Sequence, residues 1–469
     1  MKRIISLALV LAMMLASCAC LFSCGNKDKG NGNADNQAFE EFDPNKQYEL
    51  DFLGWGSIAE QKNFQEMIQA FMVEYPNVKV FYNAITDTTA YSNNLVNNAD
   101  NLPDVFYVPD WDYIKWVDSG KLLNLTPYLS EEEIGSLWDM SIDIFRWDAD
   151  SKTVGQGDEI YGLPKDLGPY AIVYNKTLML QLIDEYNLDV ELPSATQPMT
   201  FTQFKEYLGA FKGLKVDGVS IVPLTHYEAS AAVYSNNANY YTDDSATTSA
   251  ITSDNFIDAI QFVADLSLEG LAADYAAAAT SSALTKFASQ QCLFTWMGPW
   301  DMRTYWESLS FEFDIMPVPV GEAEGSKSTT LIGTVAYSVS AASENKAAAV
   351  LLAKWLSTSE KAAEMNYKLG QAMPNIQSMA NNEWLNNEGL EGIKTYPVTK
   401  SVFLDPVKET DTMAGKSRPY YYTYEKTAFD DLMDKLNPVW AGTQTAREAI
   451  LAYAETYQNK LNKIHENLE

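Results

Sequence analysis

Tyr48-Glu49-Leu50-Asp51-Phe52-Leu53-Gly54-Trp55 alternates apolar and polar side chains and reads as a β-strand. Behind it Phe64, Met67, Ile68, Phe71, Met72 and Tyr75 recur at i, i+3, i+4, i+7, i+8 and i+11, the stripe of an amphipathic helix. Pro76-Asn77 stops that helix. Val78-Lys79-Val80-Phe81-Tyr82 begins a second strand, and Asp104 to Val108 makes a third. Strand, helix and strand in this order predict an α/β sheet with helices on its faces.

The same rhythm continues along the chain. Tyr161-Gly162-Leu163-Pro164 and Tyr170 to Tyr174 read as strands flanking a turn. Thr200 with Gln203 forms a capping box ahead of a helix. Phe256, Ile257, Ile260, Val263 and Leu266 predict another helix, and Ile450, Tyr453, Ala454, Tyr457 and Leu461 predict a last one. No repeat of solenoid or propeller length is present.

Composition narrows the function. With 469 residues, 46% of them hydrophobic, the chain can bury more than one sizeable core. Its formal charge of -30 repels phosphate backbones and anionic headgroups, which argues against a nucleic-acid partner. Only His226 and His465 are histidines, so a site built from several histidines is excluded. Of four cysteines, Cys18, Cys20 and Cys24 crowd the amino terminus and Cys292 stands alone in the body. That spacing gives no disulfide framework and no zinc site of paired cysteines. Cys292 lies in the apolar run Cys292-Leu293-Phe294-Thr295-Trp296 and reads as a small buried hydrophobe.

The amino terminus has an export pattern. Lys2-Arg3 is followed by the apolar stretch Ile4 to Leu15, then small residues and cysteines, then a polar tract. A cysteine at the cleavage point is the mark of a bacterial lipoprotein signal. Leu15-Ala16-Ser17-Cys18 and Leu21-Phe22-Ser23-Cys24 compete for that role. Cys24 is preferred, because cleavage at Cys18 would leave Leu21-Phe22 exposed on the tether. An uncleaved membrane anchor is the competing reading, although the apolar run is short for a span. Residues 1–23 are thus expected to be a signal peptide and residues 24–46, rich in Gly, Asn, Asp and Lys, a flexible tether.

No GxxxxGK[ST], HExxH, GxSxG or complete EF-hand loop occurs. Nothing singles out a catalytic carboxylate pair among the 63 acidic residues. No cofactor is expected. The distinctive feature is aromatic placement: Trp55, Trp111, Trp296 and Trp300 each fall where a strand reading ends. In open α/β sheets ligands bind beyond the carboxyl ends of strands. A flat ring there offers apolar area to the C–H face of a sugar, while nearby carboxylates accept bonds from its hydroxyls. Any one of these tryptophans taken alone reads better as packing; the four together favour a carbohydrate site.

Here the sequence resembles the extracellular solute-binding lipoproteins of bacterial ABC importers, the sugar-binding class related to maltose-binding protein. The resemblance runs over essentially the whole chain after the signal. It rests on Trp55, the run Phe71 to Val80, Pro103-Asp104-Val105-Phe106, Gly120-Lys121-Leu122-Leu123-Asn124-Leu125-Thr126, and Tyr161-Gly162-Leu163-Pro164-Lys165-Asp166 followed by Tyr174-Asn175-Lys176. It continues through Phe287 to Trp300, Met316-Pro317-Val318-Pro319 and Gly333. Cys292-Leu293 departs from the family's small residue followed by Met.

The resemblance implies a two-lobed α/β fold with a hinge and a ligand cleft between discontinuous lobes. Lobe one would comprise about 46–167 plus 316–378, and lobe two about 168–315 plus 379–469. It implies a non-enzymatic monomer, lipid-anchored outside the cell membrane, that captures a carbohydrate and delivers it to the permease subunits. The expected ligand contacts are Trp55, Asp110, Trp111, Asp166, Trp296, Trp300, Gly333, Arg418 and Tyr420. Trp300, in the family's Gly-x-Trp motif, would be the main platform, with Trp55 and Trp111 facing it. Asp110 and Asp166 would accept sugar hydroxyl protons, and Gly333 would let the backbone approach the ligand. Arg418 and Tyr420 match the family weakly; Arg418-Pro419 could equally start a helix, and His226-Tyr227 could contact sugar or form a surface loop. A peptide or polyamine binder, and a secreted carbohydrate hydrolase, are the rival classes.

Overall fold

The computed structural model describes residues 40–273, 283–387, 396–419, 424 and 426–467. In chain order the strands are β1 (Tyr48–Trp55), β2 (Val78–Ile85), β3 (Val105–Pro109), β4 (Arg146–Asp148), β5 (Thr153–Val154), β6 (Glu159–Ile160), β7 (Leu163–Pro164), β8 (Gly168–Pro169) and β9 (Ala171–Asn175). They continue with β10 (Lys215–Val216), β11 (Val219–Ser220), β12 (Val222–Leu224), β13 (Cys292–Met297), β14 (Phe313–Met316), β15 (Ser328–Gly333), β16 (Val335–Val339) and β17 (Met413–Lys416).

The predicted opening unit forms as read. Ser57 caps the helix Ile58–Glu74 through a bond from the Glu60 amide, and the helix buries Phe64, Met67, Ile68 and Phe71. This returns the chain so that β2 lies parallel to β1 from Tyr48↔Val78 to Trp55↔Ile85. With β3, β16 and β7 these strands make a five-stranded sheet in the order β2-β1-β3-β16-β7. A second sheet has the order β12-β13-β9-β14. The capping box of Thr200 and Gln203 is present and opens the helix Phe201–Ala210. The helices Asp254–Leu268 and Ala446–Glu466 fall where their periodicity placed them.

The chain passes from the first sheet to the second between β7 and β9, and returns between β14 and β16. The strands on those two connections, β8 and β15, pair with each other antiparallel, Gly168 opposite Gly333 and Pro169 opposite Ile332. β17 joins the other edge of β15. Both sheets are therefore stitched together by a three-stranded ladder, two strands of which come from their own connections.

The second sheet is covered on both faces, which is why β13 is apolar but for Thr295 and wholly buried, with the Thr295 hydroxyl bonded to that of Thr225. Ile172, Tyr174, Phe294 and Trp296 belong to a core with Leu182, Phe204, Ile260 and Tyr457. Val173, Cys292, Met297 and Ile315 belong to the core of the first sheet, together with Trp306, Trp384 and Phe403. Cys292 is 1% exposed, and burial pushes its thiol up to about 12, as a packing residue requires. Phe42 stacks on Tyr48 and Asn77 donates to the Lys46 carbonyl, so residues 40–46, the end of the expected tether, are packed on the body. Cys18, Cys24 and Tyr420 lie outside the described residues.

Candidate functional site

The Gly168–Gly333 pair is the floor on which residues of both sheets converge. Trp300 follows β13 through Met297-Gly298-Pro299, in a short turn that leads into the helix Met302–Ser308. Its indole lies over two bare backbones. A β-carbon on Gly298 would sit 2.2 Å from the ring, and one on Gly168 would sit 2.4 Å from it. The edge of the half-buried Tyr170 ring closes against it at 5.0 Å. Glycine is required at both positions for steric reasons, since only a missing side chain seats an indole that close.

Across the floor, β1 and β3 end on Trp55 and Pro109. Trp55 packs on Tyr91 and Tyr107 and lies 6.2 Å from Trp111, the rings tilted by 43°. Both tryptophans stay half-buried. Trp111 stands in the first turn of the helix Asp110–Asp118. Asp110 itself is 2% exposed, and its carboxylate accepts the amides of Trp111 at 2.8 Å and Thr334 at 2.9 Å. It thus ties this helix to the strand beside Gly333, holding Trp111 in place. A β-carbon on Gly333 would meet only Asp110 Oδ2, at an ordinary 3.7 Å, so packing does not demand glycine there.

Against Tyr107, the ring on which Trp55 packs, lies a buried ion cluster. The Lys165 ammonium, 5% exposed, is 2.6 Å from Asp166 Oδ2 and 3.0 Å from Glu60 Oε1. Burial opposes its charge, but the two carboxylates outweigh that and raise its pKa. Burial raises the pKa of Glu60 despite Lys165, and Asp166 adds to the rise. Asp166 was expected to meet a ligand; the structure gives its carboxylate to Lys165 and its carbonyl to the Thr334 hydroxyl.

A second charged group lies on the Trp300 side. His226 Nε2 and Arg418 Nη1 approach the same Glu228 carboxylate, at 3.5 and 4.0 Å. Arg418 also donates to Tyr170 Oη at 3.5 Å. Burial would raise the Glu228 pKa, but the His226 bond and the Arg418 charge hold it below the usual carboxylate range. Asp301, behind Trp300, accepts the Gly298 amide. Part of its side chain meets solvent, yet it is enclosed by protein on most sides. That desolvation raises its carboxyl to about 7, against the Gly298 bond and with help from Glu60.

Of the expected contacts, Trp55, Asp110, Trp111, Asp166, Trp300, Gly333 and Arg418 converge. Trp296 does not form a cleft wall: it is 7% exposed, packs on Tyr227 and donates its indole N–H to the His226 carbonyl. It faces the core because it lies within β13, whereas Trp300 lies beyond its end. Glu60, Gly168, Tyr170, Glu228 and Asp301 went unread. Gly168-Pro169-Tyr170 carried a visible signal, a glycine and an aromatic at a strand start; the carboxylates carried none. A cavity of about 410 Å³ between the helices Phe201–Ala210 and Asp254–Leu268 gathers none of these residues. Among the described residues no group of His, Cys, Asp and Glu is placed to hold a metal ion, and no helix is long and apolar enough to cross a membrane.

Two α/β sheets joined by crossing strands, with aromatic and charged side chains of both meeting over the crossing, define a two-lobed binding protein. The chain belongs to the bacterial extracellular solute-binding protein family, whose model matches residues 55–363. Its fold is similar to that of an ABC substrate-binding protein, Lmo0181 of Listeria monocytogenes, in complex with cycloalternan (18% identity, TM-score 0.71, covering 89% of this chain and 99% of that one). It is also similar to the GacH receptor of Streptomyces glaucescens, solved unliganded and with acarbose (18% identity, TM-score 0.69, 89% and 99% covered). A third likeness is the sugar-binding protein MalE of Xanthomonas citri (17% identity, TM-score 0.63, 89% and 98% covered). No curated protein matches the chain in sequence.

Proposed function

We propose that this protein captures an oligosaccharide outside the cell and delivers it to the permease of an ABC importer. The observation that carries this reading is the Trp300 indole, seated on Gly168 and Gly298 and half-buried beside Tyr170, with Trp55 and Trp111 half-buried on the other side of the same floor. Indole faces remove sugar C–H surface from water, and the surrounding carboxylates accept hydroxyl protons. Solved relatives of the same fold were determined with cycloalternan and acarbose, which supports a carbohydrate ligand.

The lobes of this reading are about 46–167 plus 316–378 and 168–315 plus 379–469, with β8 and β15 as the hinge. A sugar touching both lobes stabilises the closed form by its differential affinity, and the permease recognises that form. The protein acts as a monomer without covalent chemistry. A lipid on Cys24 holds it at the outer face of the membrane, and the tether raises its concentration near the permease.

A thermal-shift screen against neutral oligosaccharides tests the reading, because a specific ligand raises the unfolding temperature by mass action. With a ligand in hand, Trp300→Ala weakens binding by about 2–4 kcal/mol, the range for truncating a central aromatic anchor. If the variant loses stability but its folded fraction binds at wild-type affinity, Trp300 is a core residue and the site lies elsewhere.

A further inference from the structure

The helix Met302–Ser308 begins directly after the turn that carries Trp300, and it faces two ways. On one side Tyr305 packs on Phe287 and Phe313, ring centroids 6.0 and 5.4 Å away, which fixes the helix to the second sheet. On the other side Arg303 and Trp306, three residues apart and so on one face, meet residues that belong with the first sheet. The Arg303 amide donates to the Gly370 carbonyl at 3.0 Å. The Trp306 indole sits on Gly370, where a β-carbon would lie 2.3 Å from the ring. The Arg303 guanidinium extends to a different element, and its Nη1 donates to Asn63 Oδ1 at 2.9 Å. Asn63 stands on the helix Ile58–Glu74, one turn beyond Glu60, and is fully buried.

Both halves of the Arg303–Asn63 bond keep a partner on their own side. Arg303 Nε donates to Glu307, one turn on, at 2.7 Å, so the guanidinium stays paired when it leaves Asn63. Asn63 Nδ2 donates to Gln371 Oε1 at 3.5 Å, and Gln371 Nε2 has no partner among the described residues. Turning over both amides would let Gln371 Nε2 donate to Asn63 Oδ1 in place of Arg303. Parting the two sides therefore strands neither a charge nor a buried amide, the cost that otherwise makes a buried polar contact permanent. The Arg303 side chain is 13% exposed and that of Glu307 44%, so water borders the joint. The contacts at Gly370 are of another kind. A backbone bond and a ring seated on bare backbone have no substitute partner, which makes Gly370 the fixed point of the seam.

We infer, resting on the two-lobed reading above, that the Arg303–Asn63 bond is a latch: it forms when the lobes close, breaks when they part about Gly370, and sets how much of the chain is closed. Arg303 is a positioning residue that acts through Trp300, three residues before it. A ligand that needs the closed form loses apparent affinity in proportion to the closed fraction.

The test is small-angle X-ray scattering of the full mature chain with no sugar added. Arg303→Met keeps the length of the side chain and removes its donors, and Asn63→Ala removes the acceptor. Each should move the closed-to-open ratio about tenfold toward open, the weight of one hydrogen bond to a charged group, seen as a larger radius of gyration. The double variant should be no more open than the more open single one, because both changes remove the same bond. A radius unchanged in either folded variant makes the bond a fixed packing contact and overturns the proposal, whatever the urea midpoint does. Effects that add in the double variant overturn it as well. Should one variant not fold, the other decides alone; should neither fold, the bond belongs to the permanent core and the proposal fails. No sugar enters this test, so its failure leaves the carbohydrate reading standing, and the thermal-shift screen decides that reading by itself.

Discussion

At the scale of single residues, the site depends on side chains that are absent as much as on those present. Gly298 adopts φ -114°, an ordinary value, so its role is not conformational freedom. It is bare because the Trp300 indole occupies the place of a β-carbon. Gly298→Ala should therefore unseat the ring, which Gly168 and Tyr170 wedge from the far side. Ligand affinity, read by calorimetry, falls at least tenfold, while the urea midpoint moves less than that loss implies, since the overpacked atom belongs to a side chain and not to a sheet. Asp301 makes an opposite kind of prediction. Its folded-state pKa is raised to about 7, so the protonated form is favoured by folding. The associated stability is complete below the ordinary aspartate pKa and is lost as pH rises through about 7. Asp301→Asn keeps an acceptor for the Gly298 amide without the charge. It should match the wild type near pH 4 and exceed it by about 1–3 kcal/mol at pH 8, less than the full shift because the carboxyl is partly solvated. Urea denaturation at the two pH values checks this.

At the scale of elements, local rules held where one element could satisfy them alone. Thr200 and Gln203 exchange bonds with each other's backbone amides, Gln203 N to Thr200 Oγ1 at 3.2 Å and Thr200 N to Gln203 Oε1 at 2.9 Å. Both partners lie three residues apart, so the sequence displays the whole interaction. Thr200→Ala should cost about 1 kcal/mol, seen as a lower urea midpoint at unchanged slope. β13 shows where local reading stops. Its apolar run announces a buried strand, but not that its residues divide between two cores. Trp296 and Trp300 looked alike as aromatics near a strand end. Only the strand's actual end, at Met297, separates a core tryptophan from a cleft tryptophan.

At the scale of the whole molecule, two sheets meet at a ladder whose strands β8 and β15 come from their own connections, and the candidate site lies over that pair. The lipid anchor proposed at Cys24 makes a prediction about where this molecule is found in the cell. Cys24→Ser should release the protein into the medium or leave it unprocessed, and intact-mass measurement of the wild type should find a lipid-modified amino-terminal cysteine. An unmodified terminus elsewhere excludes the lipoprotein reading, and modification at Cys18 moves the anchor without removing it.

What the sequence determined by itself is whatever short range can encode. The β1–helix–β2 unit, the capping box and the amphipathic stripes each lie within a few turns of chain, where spacing alone dictates which faces are apolar. The turn before Trp300 was legible for the same reason, since Gly298-Pro299 sits directly after an apolar strand. The pairing of Gly168 with Gly333, the sharing of Glu228 by His226 and Arg418, and the closure of Lys165 between Glu60 and Asp166 were decided only by tertiary structure. Among dozens of carboxylates nothing in one dimension distinguishes the few that folding takes out of water. Desolvation and pairing are properties of position in space, and they arise only when the crossing strands bring the two sheets together.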